Sequence, residues 1–244
     1  MWHLRNGCLR YNAYMKEVIR SILSDPTNRY FFYISDVLAV VTIMSVVSLV
    51  LETVPSLAEY IWLFTAIEWL AVVLFSIEYL ARLWVSNPTW RYLISFFGIV
   101  DLLAILPTFI GAGNLTFLKS ARALRVVRLL RIVRIAKLSH LKNRTDESIG
   151  VVGLNAVIYC SLLILGLLLT GTLIYLFEAD VQEFASIPAG MWWAMQVFAG
   201  GIPVEQPLTN LGGVVYVLAR FFGFVLLGVL VGVIGNVFKV TLLK

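Results

Sequence analysis

The sequence predicts an all-α membrane protein with six spanning helices, and three observations carry that expectation. Hydrophobic residues make up 60% of the 244 and charged residues only 14%, against about 25% charged in ordinary soluble domains, and the mean hydropathy is +0.90. Apolar stretches near the roughly 20 residues that a spanning helix needs run at 34–54, 59–83, 93–111, 151–177 and 213–238. A further stretch, 115–137, is equally apolar except that a basic residue recurs at every third position: Arg122, Arg125, Arg128, Arg131, Arg134 and Lys137.

Each element follows from its own residues. The first 33 residues carry Arg5, Arg10, Lys16, Arg20 and Arg29 ahead of any long apolar run, which is not the pattern of a cleaved secretory signal. With Val18, Ile19, Ile22 and Leu23 on one face, they read as a cytoplasmic amphipathic lead-in lying at the bilayer surface. Pro55 and Ser56 end the first span, and Asn87 with Pro88 ends the second. Pro107 lies in the third span and is expected to break or bend its outer half, because it supplies no amide donor. Gly111, Gly113 and Asn114 make a short turn into the charged stretch. Six spans put both ends of the chain on one side. The lead-in, Arg82, Arg91, Lys142, Arg144, Lys239 and Lys244 then share that side, and Glu59, Glu178, Asp180, Glu183 and Glu205 share the other. The excess of Lys and Arg marks the basic side, with both termini, as cytoplasmic, and the chain as a multi-pass protein of the cell's inner (plasma) membrane.

A charge at bilayer depth is costly, and a ladder of charges there is expected to pair with buried acids and to move with the membrane potential. The candidate counter-charges are Asp36 and Glu52 near the ends of the first span, Glu68 and Glu78 in the second, and Asp101 in the third. Glu68 and Glu78 are ten residues apart, nearly three helical turns, so they share a face at an outer and an inner depth. Phe75 is one turn from Glu78. Beside Glu78 and Asp101 it would form an apolar waist through which one arginine at a time exchanges partners. The acids could instead neutralise a static bundle. After Lys137, the stretch 138–150 is compatible with a short amphipathic helix on the inner surface.

Between Glu178 and Gly213 the chain is too long for a simple loop and too broken for a span. Phe184 to Met195 suggests a short re-entrant helix capped by Ser186, with Pro188 in its first turn. The residues after it, Val197, Phe198, Ala199, Gly200, Gly201, Ile202, Pro203, Val204 and Glu205, are expected to line or border a pore, since irregular backbone at membrane depth is tolerated only where it lines a cavity or is buried in protein. The last span is rich in glycine. Gly228 and Gly232 permit close helix contact, and Gly223 or Gly228 could act as a gating hinge or serve packing alone.

These motifs resemble the voltage-gated potassium channel family, as a bacterial member of the six-helix voltage-gated cation channel superfamily. The resemblance covers 34–240. It rests on the ladder as sensor, on Phe75, Glu78 and Asp101 as a charge-transfer centre, on Ser186, Ile187, Pro188, Trp192 and Trp193 as pore helix, and on Asn236 in the last span. It implies a four-helix voltage-sensor bundle (34–137), a linker helix (138–150) and a two-helix pore module with a re-entrant pore helix (151–240), assembled as a homotetramer around one central pore. The filter departs from the family's pattern of Thr-Val-Gly-Tyr-Gly-Asp, whose carbonyls replace the hydration shell of potassium. Here the threonine and the aromatic residue are missing and Pro203 interrupts the segment.

The expected function is therefore a voltage-gated channel passing monovalent cations, potassium or sodium, with weak or atypical selectivity, Glu205 forming an acidic ring at the mouth. A conventional potassium-selective channel and a non-conducting voltage-sensing protein are the alternatives. Arg220, in the last span, is expected to turn away from the pore axis and pair with Glu178, Glu183 or Glu205 of the same or a neighbouring subunit. The short run after Phe238 leads us to expect no cyclic-nucleotide domain, so that gating depends mainly on voltage. An enzyme, a nucleic-acid binder and a protein with a soluble substrate are not expected: the basic residues form a buried ladder rather than a solvated patch, and no phosphate loop or ligand cluster accompanies them. No cofactor or metal is expected, since Cys8, Cys160, His3 and His140 are isolated and Cys160 reads as a buried thiol. The implied partners are the lipid bilayer and further copies of the chain.

Overall fold

The computed structural model describes residues 14–23, 25, 28–86, 88–112, 127–132, 151–178 and 180–242, and every described element is helical. In chain order these are α1 (14–23), α2 (Arg29–Glu52), a 3-10 turn at Pro55–Tyr60, α3 (Ile61–Val85), α4 (Thr89–Ile94), α5 (Phe96–Ala112), a 3-10 turn at Leu129–Ile132, α6 (Val151–Phe177), a 3-10 turn at Gln182–Phe184, α7 (Ile187–Phe198) and α8 (Asn210–Leu242). Among the described residues four helices are long and apolar enough to cross a bilayer: Arg29–Glu52, Pro55–Val85, Ala156–Phe177 and Asn210–Lys239. Their outer faces are apolar as well. Val37, Val40 and Val47 on α2 and Val217, Leu218 and Phe221 on α8 are all exposed in the single chain, as expected of helices solvated by lipid rather than water.

The chain divides into two compact units, one of residues 1–49 and 60–146, the other of 50–59 and 147–244. In the first, Leu38 and Val41 of α2, Ala71, Val72, Phe75 and Tyr79 of α3 and Ile105 of α5 form the core. The same side of α2 also buries Ser35, Thr42, Ser45 and Ser48. The lead-in helix α1 meets the C-terminal end of α3: Arg20 donates to the Val85 carbonyl at 3.0 Å and the Lys16 ammonium lies 5.9 Å from the Trp84 ring centre. A cation there complements the partial negative charge of the helix end.

The expected break at Pro107 falls elsewhere. α5 runs through Pro107 to Ala112, and the chain breaks instead at Ser95, which separates α4 from α5 with extended backbone. Ser95 Oγ donates to the Tyr92 carbonyl at 2.7 Å and accepts the Gly98 amide at 3.0 Å, so one hydroxyl closes α4 and caps α5.

In the second unit α6, α7 and α8 enclose a core of Ile174, Trp193, Ala194, Val197, Phe198, Val215, Ala219 and Leu226, with Phe184 beside it. Backbones approach closely at glycines, Gly190 and Gly223 among them. A Cβ on Gly190 would strike the Gly171 carbonyl oxygen and lie 2.8 Å from Ile174 Cγ2, and one on Gly223 would lie 2.8 Å from Phe198 Cα. Cys160 is exposed on α6 rather than buried, because the packed side of that helix is the one turned to α7 and α8. The end of α2 and the 3-10 turn Pro55–Tyr60 belong largely to this unit. Thr53 Oγ1 accepts the Ile187 amide at 3.0 Å, satisfying one of the orphan donors at the start of α7.

Candidate functional site: a buried arginine clamp and a capped short helix

Arg131 is the most completely held polar side chain of the first unit, with 1% of its surface exposed. Its Nη1 and Nη2 donate to Glu68 Oε2 and Oε1, both at 2.7 Å, in a two-pronged pair. The remaining donors are also used: Nε reaches the Ala104 carbonyl at 2.8 Å, Nη1 reaches Ser45 Oγ at 2.8 Å and Nη2 reaches Thr108 Oγ1 at 2.9 Å. Thr108 in turn donates to Glu68 Oε1. A guanidinium taken out of water is tolerable only when paired and fully hydrogen-bonded, and α2, α3 and α5 each supply part of that shell. Pro107 contributes indirectly. Without an amide, it leaves the Leu103 carbonyl, four residues back, without its helical donor, next to the Ala104 carbonyl that takes up Arg131.

Arg128 lies at the same acid, its Nε 3.7 Å from Glu68 Oε1. Local winding explains why two rungs meet one carboxylate. Residues three apart eclipse each other in a 3-10 helix, and the described segment takes that form at Leu129–Ile132. Arg122, Arg125, Arg134 and Lys137 lie outside the described residues, as does the expected inner-surface helix at 138–150.

Phe75 is fully buried in the apolar core, toward the other end of α3 from Glu68. Beyond it are Glu78 and Asp101, 6% and 0% exposed. Glu78 Oε1 accepts Arg82 Nε at 2.9 Å, a pair one turn apart on α3, and Asp101 Oδ2 accepts the Tyr92 hydroxyl at 2.6 Å. Burial first, then the Asp101 charge and the bond to it, push the Tyr92 phenol above its ordinary range. The four expected residues Glu68, Phe75, Glu78 and Asp101 thus belong to one bundle. Ser45, Thr108, Tyr92 and Arg82 were not anticipated.

In the second unit Ser186 caps α7, its Oγ accepting the Ala189 amide, and Pro188 sits in the first turn. The other end closes by a two-bond cap: the Gly200 amide donates to the Val197 carbonyl at 3.1 Å and the Gly201 amide to Gln196 at 3.0 Å. Gly200, at φ +82°, takes the left-handed turn. This is the Schellman arrangement. Val197 and Phe198 are therefore buried helix residues, Ala199 to Gly201 form the cap, and only Ile202 to Glu205 are open loop. There Ile202 and Val204 are exposed and Pro203 is buried.

Two further bonds hold that loop. Trp193 Nε1 donates to the Glu205 carbonyl at 2.9 Å, while Trp192 is exposed. Arg220 does not pair with Glu178, Glu183 or Glu205 within the chain. Its Nη1 donates to the Gly201 carbonyl at 2.7 Å and its Nη2 to the Tyr216 hydroxyl at 3.3 Å. Glu178 is instead occupied by Thr209, whose amide and hydroxyl donate to Oε1 at 2.9 and 2.7 Å. Of the two hinge candidates, Gly223 packs against the end of α7, Gly228 has open space around it, and α8 is continuous through both. Among the described residues no group of His, Cys, Asp or Glu could hold a metal ion.

Long apolar helices among the described residues, with a buried arginine, Arg131, in one unit and a capped short helix in the other, are what a membrane ion-transport protein contains. Comparison with known proteins agrees: residues 29–241 match the family model described as ion transport protein. The chain belongs to that family. It is 29% identical over 250 residues to a proposed potassium channel protein of Rhodopseudomonas palustris, a match that takes in 95% of this chain and 59% of the relative. The chain thus spans little more than half the length of that relative. Among solved structures it aligns with a NaChBac-Nav1.7VSDII chimera in a nanodisc, at 21% identity over 87% of this chain and 96% of the other, with a TM-score of 0.37.

Proposed function

We propose that the protein is a voltage-gated channel that passes monovalent cations, potassium or sodium, with weak or atypical selectivity through a pore formed by four copies. The observation that carries this reading is the Arg131 clamp. It holds a ladder charge in a shell of Glu68, Thr108, Ser45 and the Ala104 carbonyl, as a sensor resting in one of its stable positions requires. Glu68 and Glu78 are separated by about 15 Å of helical rise, with the Phe75 core between them. A dry layer of that kind concentrates the membrane field over a short distance, so that moving one arginine across it does electrical work. Each charge crossing the field gains about 2.3 kcal/mol per 100 mV, and three charges in each of four subunits would gain roughly 28 kcal/mol.

In this reading residues 34–137 are the sensor, with Arg122, Arg125, Arg128, Arg131, Arg134 and Lys137 as its charges. Residues 138–150 link it to the pore at 151–240, Gly228 is the hinge, and both termini face the cytoplasm. The cap at Ala199–Gly201 supports atypical selectivity. It uses as helix closure the glycines that a carbonyl cage would need as ion ligands, and it leaves Ile202 to Glu205 as the ion-facing loop. The name of the Rhodopseudomonas relative favours a second reading, a potassium-selective pore.

Purified protein in planar bilayers under potassium, sodium, calcium and chloride gradients separates these readings. The expected result is a voltage-dependent cation current that reverses between the potassium and sodium equilibrium potentials. Reversal at the potassium potential would establish the second reading, and a leak unchanged by voltage would overturn both.

A further inference from the structure

The open loop is suspended at both ends by its carbonyl groups, and the two donors belong to one stack. At one end Arg220 donates to the Gly201 carbonyl at 2.7 Å, and at the other Trp193 donates to the Glu205 carbonyl at 2.9 Å. Between them lies Tyr216. Its ring centre is 5.9 Å from that of Trp193, and the Arg220 guanidinium carbon is 5.6 Å from it. The Tyr216 hydroxyl also accepts Arg220 Nη2 at 3.3 Å, which fixes the plane of the guanidinium. Of the side chains between the two anchors, Ile202 and Val204 are exposed, at 78% and 87%, and Pro203 is buried.

We propose that Arg220 is a positioning residue that sets selectivity by engaging the Gly201 carbonyl and withdrawing it from cation coordination. The inference rests on the channel reading above for its effect on ions, and on geometry alone for its effect on the loop. Three physical points support it. A carbonyl oxygen that accepts a charge-assisted bond is held toward its donor. A guanidinium keeps its charge at all accessible pH, so a cation on the free lone pair of Gly201 would sit close to a permanent positive charge and be repelled. The Gly201 amide is already committed to the Gln196 carbonyl in the helix cap, so both backbone polar groups of Gly201 are tied to the scaffold. The first level at which the loop can meet an ion is therefore beyond Gly201, at Ile202 to Glu205. There the apolar side chains of Ile202 and Val204 favour an ion that keeps part of its water.

The full chain in nanodiscs and in planar bilayers tests this with the variants R220Q and R220K. Hydrogen exchange of the loop amides of Gly201, Ile202, Val204 and Glu205 reads the anchor whether or not the protein conducts. In R220Q it should rise about tenfold, the effect of losing one charge-assisted bond, and in R220K, which can still donate once, it should rise less. In bilayers R220Q should increase cation conductance at least twofold and shift the potassium-to-sodium permeability ratio, while R220K, which keeps the charge, stays near wild type. Loop exchange unchanged in both variants would overturn the proposal, and so would faster exchange in R220Q with conductance and permeability ratio unchanged. Should R220Q fail to fold, R220K decides by its exchange alone: faster exchange supports the anchor and an unchanged rate overturns it. A wild-type protein that carries no current refutes the channel reading, and the exchange result still decides the anchor.

Discussion

Replacing Glu68 by Gln tests whether the Arg131 clamp sets a sensor position. The carboxylate accepts both Nη atoms of Arg131 at 2.7 Å, accepts the Thr108 hydroxyl, and lies 3.7 Å from Arg128. Glutamine keeps one acceptor oxygen but turns an NH2 toward a guanidinium that is 1% exposed. Removing one partner of a buried pair costs about 3 kcal/mol or more. A sensor that moves three charges gains roughly 7 kcal/mol per 100 mV, so the midpoint of its movement should shift by roughly 40 mV. The sign follows from the geometry and the proposed topology. Arg131 is the fourth of six ladder residues and Glu68 is the acid nearer the outer end of α3, so the clamp belongs to an outward sensor. Glu68→Gln weakens that position, and activation should move to more positive voltages. Glu68→Asp, which keeps the charge on a shorter side chain, should shift it less. Gating currents or conductance–voltage curves from reconstituted protein measure both. A midpoint for Glu68→Gln within about 10 mV of wild type, or displaced toward negative voltages, would refute the claim that this pair stabilises the outward state.

Gly190→Ala should lower the thermal midpoint in detergent by an amount equivalent to about 1–3 kcal/mol, because its Cβ meets the Gly171 carbonyl and Ile174; an unchanged midpoint would mean that α6 and α7 part without cost. Glu178→Ala leaves the Thr209 amide and hydroxyl without their acceptor and should destabilise by about 1–3 kcal/mol, measured by the same melt, with Glu178→Gln milder because it keeps an oxygen. Glu205→Gln should lower cation conductance while leaving the midpoint of voltage activation in place; equal single-channel currents would remove Glu205 from the ion path.

The parts of this fold that were legible in the sequence are those written in spacing. Long apolar runs marked four helices of spanning length, and the predicted 151–177 coincides with α6. The Ser186 and Pro188 pattern marked the start of α7 because capping chemistry is local. Glu68 could be named as a partner for the ladder because an acid inside an apolar run demands one. Ser45 and Thr108 carried no such demand. A hydroxyl can satisfy itself on its own helix, as Thr42 does on the Leu38 carbonyl at 2.7 Å, so it looks like filler until the other helices are in place. The faint signal was positional, since Thr108 lies seven residues, two turns, from Asp101 and shares its face. The misplaced break has a similar cause. Proline announces a lost hydrogen bond but not whether the orphaned turn finds another donor, and α5 continues past Pro107 with the neighbouring Ala104 carbonyl taken by Arg131.

Arg220 marks the limit of reading from sequence. An arginine in an apolar helix announces that a partner exists, and acids are the natural candidates because they can be counted along the chain. A backbone carbonyl is present at every residue, so nothing in the sequence distinguishes Gly201 as an acceptor. What makes it one is the cap at the end of α7. The left-handed Gly200 turns the chain sharply, and the carbonyl of the next residue is the one Arg220 of α8 reaches. The same pair of glycines that ends α7 thus presents the acceptor that holds Arg220. The departure from the potassium-channel filter pattern and the unexpected partner of Arg220 therefore have one physical origin: a helix closed by its own cap, whose exit is tied to the scaffold by a fixed charge.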